Sequence, residues 1–177
     1  MSLSLGCGAA STTPPPGSTA TEEPTPKEPD DPRLSGVLAA HAQVRANASP
    51  APAAPLRPLA WSEDDALVAR AYAEKCTFAH NPGRGARGEN LYASSGATPV
   101  AQVVANWAGE SAGYDYATGA CRGTCGHYTQ LVWADTTHVG CAVKTCTANS
   151  PFAGKGSWEL WVCNYSPPGN FVGKKPY

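Results

Sequence analysis

Four histidines (His41, His80, His127 and His138) and seven cysteines are the residues of this chain with the widest chemical reach. Six of the cysteines fall between Cys76 and Cys163, while Cys7 stands alone far upstream. None of the six forms a Cys-x-x-Cys pair, which argues against a zinc ribbon or a thioredoxin-like motif. An even set spread through one domain predicts disulfides and hence an oxidising compartment. No His-Glu-x-x-His helix is present, so the usual zinc-hydrolase signature is missing. Ser94-Ser95 lie in a Gly/Thr-rich stretch without the strand-turn-helix elbow that exposes a serine nucleophile. His41 shares helical spacing with Val37, Leu38 and Val44 and reads as a packing histidine. His138 follows a turn and reads as solvated. Trp133, Trp158 and Trp161 read as core and sheet packing rather than a sugar platform.

The elements that must position these residues follow from periodicity. Leu34, Val37, Leu38, His41, Val44 and Arg45 recur at helical spacing, predicting a first helix that ends before Ser49-Pro50. A second helix starts after Leu59-Ala60-Trp61, with Ser62 as N-cap and Asp65 as the reciprocal acid of a capping box. Thr98-Pro99 opens a third, with Pro at the first helical position and Val100, Val103, Val104 and Trp107 as one apolar stripe. Tyr128–Trp133, Val139–Lys144 and Trp158–Asn164 are rich in β-branched and aromatic residues and read as strands. Helices followed by mainly antiparallel strands predict a layered α+β domain. Cys141 and Cys146, five apart on one strand, would face opposite sides of the sheet. Cys141 is then suited to Cys163 across a hairpin and Cys146 to Cys76 at the end of the second helix, leaving Cys121 with Cys125. The other pairings that six cysteines allow stay open.

Residues 1–33 form a separate expectation. They are rich in Ser, Thr, Pro and acidic residues, too poor in apolar surface to offset their ordering entropy, and read as an extended tether ahead of a domain at 34–177. Leu3-Ser4-Leu5-Gly6-Cys7 resembles the last residues of a lipoprotein signal, making Cys7 a lipidation candidate and a possible membrane tether; an incidental cysteine is the alternative. The formal net charge of −1 offers no long-range attraction to nucleic acid. No apolar run approaches the ~20 residues of a transmembrane helix.

Four stretches resemble one family. Gly126-His127-Tyr128-Thr129-Gln130-Leu131-Val132-Trp133 and Cys163-Asn164-Tyr165-Ser166-Pro167-Pro168-Gly169-Asn170-Phe171 are similar to the two signatures of the CAP superfamily (cysteine-rich secretory proteins, antigen 5, pathogenesis-related class 1; the SCP-like extracellular domain). Gly88-Glu89-Asn90-Leu91 resembles the family's Gly-Glu-Asn-Leu turn, and Trp107-Ala108-Gly109-Glu110 its Trp-x-x-Glu helix end. Plant pathogenesis-related class 1 proteins are the closest in pattern.

The resemblance implies a disulfide-stapled three-layer α/β/α sandwich with a central antiparallel sheet, and the pairs Cys76–Cys146, Cys121–Cys125 and Cys141–Cys163. It also implies a cleft lined by His80, Glu89, Glu110 and His127. Two neutral imidazoles suit zinc or another divalent metal, with His80 and His127 as ligands and Glu89 or Glu110 as candidate bases. The first helix departs from the family's His-Asn-x-x-Arg by reading His41-Ala42-Gln43-Val44-Arg45. Three function classes remain: a binding module for a lipid, sterol or other small hydrophobic ligand; a metal-assisted hydrolase of the cell envelope; and a non-catalytic structural or interaction protein. Catalysis is the less favoured. The expected setting is extracellular or on the envelope surface, as a monomer.

Overall fold

Two runs of alternating side chains, His138–Cys146 and Trp158–Ser166, build the centre of the molecule as the antiparallel strands β5 and β6. The structure is a computed structural model that describes residues 27–154 and 156–177. Cys7 and most of the expected tether lie outside them. Strand β2 (Gly88–Ser94) pairs antiparallel with β6, and the two-residue β1 (Ala60–Trp61) runs parallel to β5, giving the order β1-β5-β6-β2. The sheet is thus antiparallel but for one short strand.

Alternation divides the sheet into two cores. Val139, Cys141, Val143, Trp161, Cys163 and Tyr165 face helices α1 (Val37–Ala46), α3 (Val100–Gly109) and α4 (Gly126–Leu131). Ala142, Cys146, Trp158, Leu160 and Val162 face Ala69, Tyr72 and Ala73 of helix α2 (Glu63–Ala73). The result is the three-layer α/β/α sandwich. Val100, Val103, Val104 and Trp107 are all buried, as their spacing predicts; burying each stabilises by about 1.5–3 kcal/mol. Pro99 is the N-cap of α3, one place earlier than the expected first helical position.

Helix α2 begins as expected, with the Ser62 hydroxyl accepting from the Asp65 amide at 3.1 Å. The capping box does not close. Asp65 instead accepts from Arg87 Nε at 2.7 Å and from the Ser166 hydroxyl at 2.5 Å, while the Ser62 amide donates to Val139 in β5. Gly140 makes the seat: a Cβ there would lie 2.1 Å from Ala66 N and 2.4 Å from Ser62 O, so α2 rests backbone to backbone on β5.

The expected strand over Tyr128–Trp133 is corrected: this stretch is helix α4 and its exit. Its β-branched and aromatic residues favour a strand locally, but both helix ends are capped from elsewhere. Cys125 at the N-cap makes no capping bond. Glu110 Oε2 substitutes, accepting from the amides of His127 (3.0 Å) and Tyr128 (3.2 Å). At the other end Arg45 donates from Nη1 to the carbonyls of Leu131 and Trp133, both at 2.9 Å. An anion at the N-terminus and a cation at the C-terminus complement the helix dipole. Burial lowers the Arg45 pKa to about 10, so it stays charged at neutral pH. Gly88-Glu89-Asn90-Leu91, expected as a turn, opens strand β2. Its glycine is needed because Gln130 crosses there: a Cβ on Gly88 would lie 2.0 Å from Gln130 Oε1.

Three disulfides, Cys76–Cys146, Cys121–Cys125 and Cys141–Cys163, staple the layers. The first ties α2's end to β5, the third ties β5 to β6, and the second closes a short loop between the small hairpin β3–β4 (Tyr114–Asp115, Ala120–Cys121) and α4.

Candidate functional site

Glu110 ends α3, and its position is set by that helix's packing. Trp107 Nε1 donates to the Leu91 carbonyl at 2.9 Å, binding α3 to the open edge of β2. One turn on, Glu110 caps α4 through Oε2 and accepts from His127 Nδ1 through Oε1 at 2.6 Å. The His127 ring also stacks on Trp107, with centroids 6.1 Å apart and planes 25° from parallel. A carboxylate at Nδ1 holds the proton there and leaves the Nε2 lone pair outward. His127 therefore sits at the start of a helix, not of a strand.

The second pair is built on β2. Glu89 Oε1 accepts from His80 Nδ1 at 2.8 Å and from the Asn81 amide at 2.9 Å. The loop carrying His80 is stitched down: Tyr72 donates from its hydroxyl to the Ala79 carbonyl, Arg84 donates to the carbonyls of Asn81 and Arg87, and Arg87 pairs with Asp65. The Glu89 side chain is 1% exposed and the His80 side chain 57%. Here too Nε2 is the free nitrogen. Glu89 Oε2 is buried without a partner, and so is Asn164 Oδ1 on the directly opposed residue of β6. Two buried acceptors on one face call for a shared donor between them.

Asn90 joins the two pairs. It follows Glu89 on β2, points to the other face, and donates from Nδ2 to the His127 carbonyl at 3.1 Å. On the neighbouring strand β6, the Tyr165 hydroxyl lies 3.0 Å from His41 Nε2. His41 Nδ1 lies 2.7 Å from the Val37 carbonyl and donates to it, so Tyr165 is the donor to Nε2. The Tyr165–His41 contact ties β6 to α1. Burial lowers the His41 pKa to about 4, with Arg45 adding to the effect. His41 is a buried packing histidine with both nitrogens satisfied, and the departure at Ala42 disturbs none of its bonds. His138 is exposed at the start of β5, beside the Thr137 hydroxyl.

His80, Glu89, Glu110 and His127 thus form two histidine–carboxylate pairs, one on each side of the first residues of β2. Among the described residues no group of three or more His, Cys, Asp or Glu is arranged to hold a metal ion. The carboxylates are occupied by the histidines, and the donor set offered outward is two imidazole Nε2 atoms. Ser94 ends β2 and donates to the Gly96 carbonyl; Glu159, opposite it on β6, accepts instead from the Thr98 amide and Trp161 Nε1. Trp133, Trp158 and Trp161 are buried.

Sequence reasoning missed Asn90 and Asn164. Their signal was present as asparagines at fully buried strand positions within the two matched motifs. It also missed the position of a groove of about 610 Å³ between α1 and α3. Ala40, Val44, Ala101, Val104 and Ala108 line it, together with Tyr128, the neighbour of His127 on α4. Small residues on two facing helices leave this space open. No helix of the described residues is long and apolar enough to cross a membrane.

The model of the family described as "CAP: Cysteine-rich secretory protein family" matches residues 38–165. The chain is 42% identical over 140 residues to mouse peptidase inhibitor 16, covering 77% of this chain and 28% of that protein. It is 39% identical over 158 residues to mouse GLIPR1-like protein 1, covering 83% and 65%. It is 40% identical over 124 residues to pathogenesis-related protein 1 of Arabidopsis thaliana, covering 68% and 71%. The chain therefore spans from about a quarter to two thirds of the two mouse relatives. Among solved structures it is similar to Schistosoma mansoni venom allergen-like protein 4, at TM-score 0.63, 26% identity and coverage of 80% and 91%. It is also similar to NaASP2 with Zn2+, at TM-score 0.65, 25% identity and coverage of 85% and 90%.

Proposed function

Since the chain belongs to the CAP family of cysteine-rich secretory proteins, an extracellular family, we propose that this domain is a monomeric carrier of one small hydrophobic ligand such as a lipid or sterol. The observation behind this reading is the α1–α3 groove. Its volume of about 610 Å³ falls in the range of small-molecule sites. Its lining is mostly alanine and valine, with polar groups from Gln43 on α1, from Asn47 at the C-cap of α1 and from Tyr114 and Tyr128. A small ligand with both apolar and polar groups suits that lining. Native mass spectrometry of protein purified from an oxidising compartment tests it. A one-to-one lipid or sterol adduct, released on denaturation, supports the reading; protein that neither retains such a molecule nor takes one up from added lipid refutes it.

The histidine pairs support a second, adjoining role, binding of one divalent ion such as zinc. The residues fit. Each imidazole gives Nδ1–H to a carboxylate and keeps Nε2 as a neutral donor, the arrangement that orients histidine ligands in metal sites. His80 and His127 would hold the ion, and solvent would complete its coordination. A bound ion of this kind supplies Lewis acidity and a more acidic water. A structure similar to this one carries Zn2+. A hydrolytic role has less support, because Glu110 has both oxygens engaged and Glu89 has one; only Glu89 Oε2 is free to serve as a base. Lipidation of Cys7, outside the described residues, would hold the domain at the envelope surface, which the intact mass of the cell-derived protein decides.

A further inference from the structure

We propose that the turn Phe171–Lys174 is a contact tip by which this domain docks on an anionic lipid surface. The turn closes with the Lys174 amide donating to the Phe171 carbonyl at 3.0 Å, and Gly173 takes φ of 77°, the positive value that the third place of a type II turn requires. Turn corners ordinarily carry polar or turn-forming residues. Here the corner is Val172, whose side chain is wholly exposed at 103%, next to Phe171 at 49%.

The base of the turn is rigid. Asn170, with φ of 61°, accepts from the Thr129 hydroxyl at 2.7 Å and donates to the Gly126 carbonyl at 2.8 Å. The Phe171 ring leans on Trp133, with centroids 6.0 Å apart. A fixed apolar apex needs little further ordering to insert into an interface. Single exposed apolar residues are ordinary on protein surfaces; two adjacent ones held on a braced turn and followed by two lysines are the pattern of an interfacial anchor.

Charge selects the occupant. The Lys174 ammonium lies 5.3 Å from the Phe171 ring, and Lys175 packs at 4.7 Å over Tyr116 while donating to the Ala117 carbonyl. Both are exposed, as is Arg122 on the disulfide loop that shares a cavity with Lys174. Asp115 on the neighbouring hairpin is turned to the amides of Ala117 and Thr118. Basic side chains flanking an apolar tip match anionic headgroups.

Flotation of the full, unlipidated chain with vesicles tests the tip. Phosphatidylcholine vesicles are compared with ones containing phosphatidylglycerol, at low and high salt. The expected result is salt-sensitive binding to the anionic vesicles, reduced about tenfold in Phe171→Ser/Val172→Ser and clearly reduced in Lys174→Gln/Lys175→Gln. Val172→Ser alone, whose side chain touches nothing that folding needs, gives a smaller loss in the same direction. Leu67→Ser, an exposed leucine on α2, leaves binding unchanged. Equal binding by the tip variants, equal binding to neutral vesicles, or no vesicle binding overturns the proposal. Concentration-dependent self-association that the tip substitutions abolish, without vesicle binding, would assign the tip to a second copy of the chain instead.

Discussion

Helices α2 and α4 lie on opposite faces of one sheet and are held in opposite ways. Helix α2 carries its own instructions: Ser62 caps it, Glu63, Asp64 and Asp65 fill its first turn, and its alanines set its distance from β5. Helix α4 carries almost none. Its own N-cap is spent on a disulfide, and it has no acid in its first turn or base in its last. Glu110 from α3 and Arg45 from α1 supply both ends. A short segment of strand-favouring residues is thereby a helix, and the same two residues bring α1, α3 and α4 together around the groove and His127. The face that carries the proposed function is the face whose local structure depends on remote contacts.

That contrast predicts unequal responses. Arg45→Ala is expected to have the largest effect, about 3–5 kcal/mol by denaturant unfolding, since it takes the guanidinium donors from the carbonyls of Arg57, Leu131 and Trp133 and empties the buried space the side chain fills. Native-state hydrogen exchange should show α4 losing protection before α2; equal loss in both would dissolve the distinction.

Acidification comes next. The folded His41 pKa is about 4, below the unfolded value of about 6.5. The unfolded chain then binds more protons between these values, so stability is full above about pH 6.5 and falls as pH drops toward about 4. The loss approaches about 3 kcal/mol from this one residue. The fall in unfolding midpoint over that window should shrink markedly in His41→Gln. An unchanged slope in the variant would assign the acid sensitivity to other groups.

Glu110→Gln should cost less, about 1–2 kcal/mol, because the amide oxygen still accepts one bond while the charge at α4's N-terminus is lost. Its mark should be local, as faster exchange at the His127 and Tyr128 amides. Ser62→Ala on α2 should cost about 1 kcal/mol and leave those two amides untouched. A Ser62 effect larger than that of Glu110 would reverse the ranking of local and remote caps.

The same contrast explains what could be read from the chain. The α1, α2 and α3 periods, the strands β5 and β6 and the layered α+β class follow from side-chain spacing, because each element is stabilised by an amphipathic face of its own; the three-layer arrangement came with the motif resemblance. Tyr128–Trp133 was misread because its decisive contacts come from Arg45 and Glu110, far away in sequence. Asp65 was expected in a capping box, but a buried carboxylate gains more from the Arg87 ion pair and the Ser166 hydroxyl than from one exposed amide. His80, Glu89, Glu110 and His127 were legible only through motif resemblance, since no spacing rule connects a loop, a strand, a helix end and a helix start. Asn90 and Asn164 and the groove's position needed the register of β2 on β6 and the packing of α1 on α3.

The most direct test of the account concerns the groove itself. Ala105 lines it from α3 with an exposed side chain, so Ala105→Trp should fill the space without disturbing either core. Titration of the full chain with a fluorescent fatty acid is expected to give saturable one-to-one binding, and the Trp variant to lose at least about tenfold in affinity with its unfolding midpoint unchanged. Equal affinity in wild type and variant would place the ligand elsewhere and contradict the assignment of the α1–α3 groove.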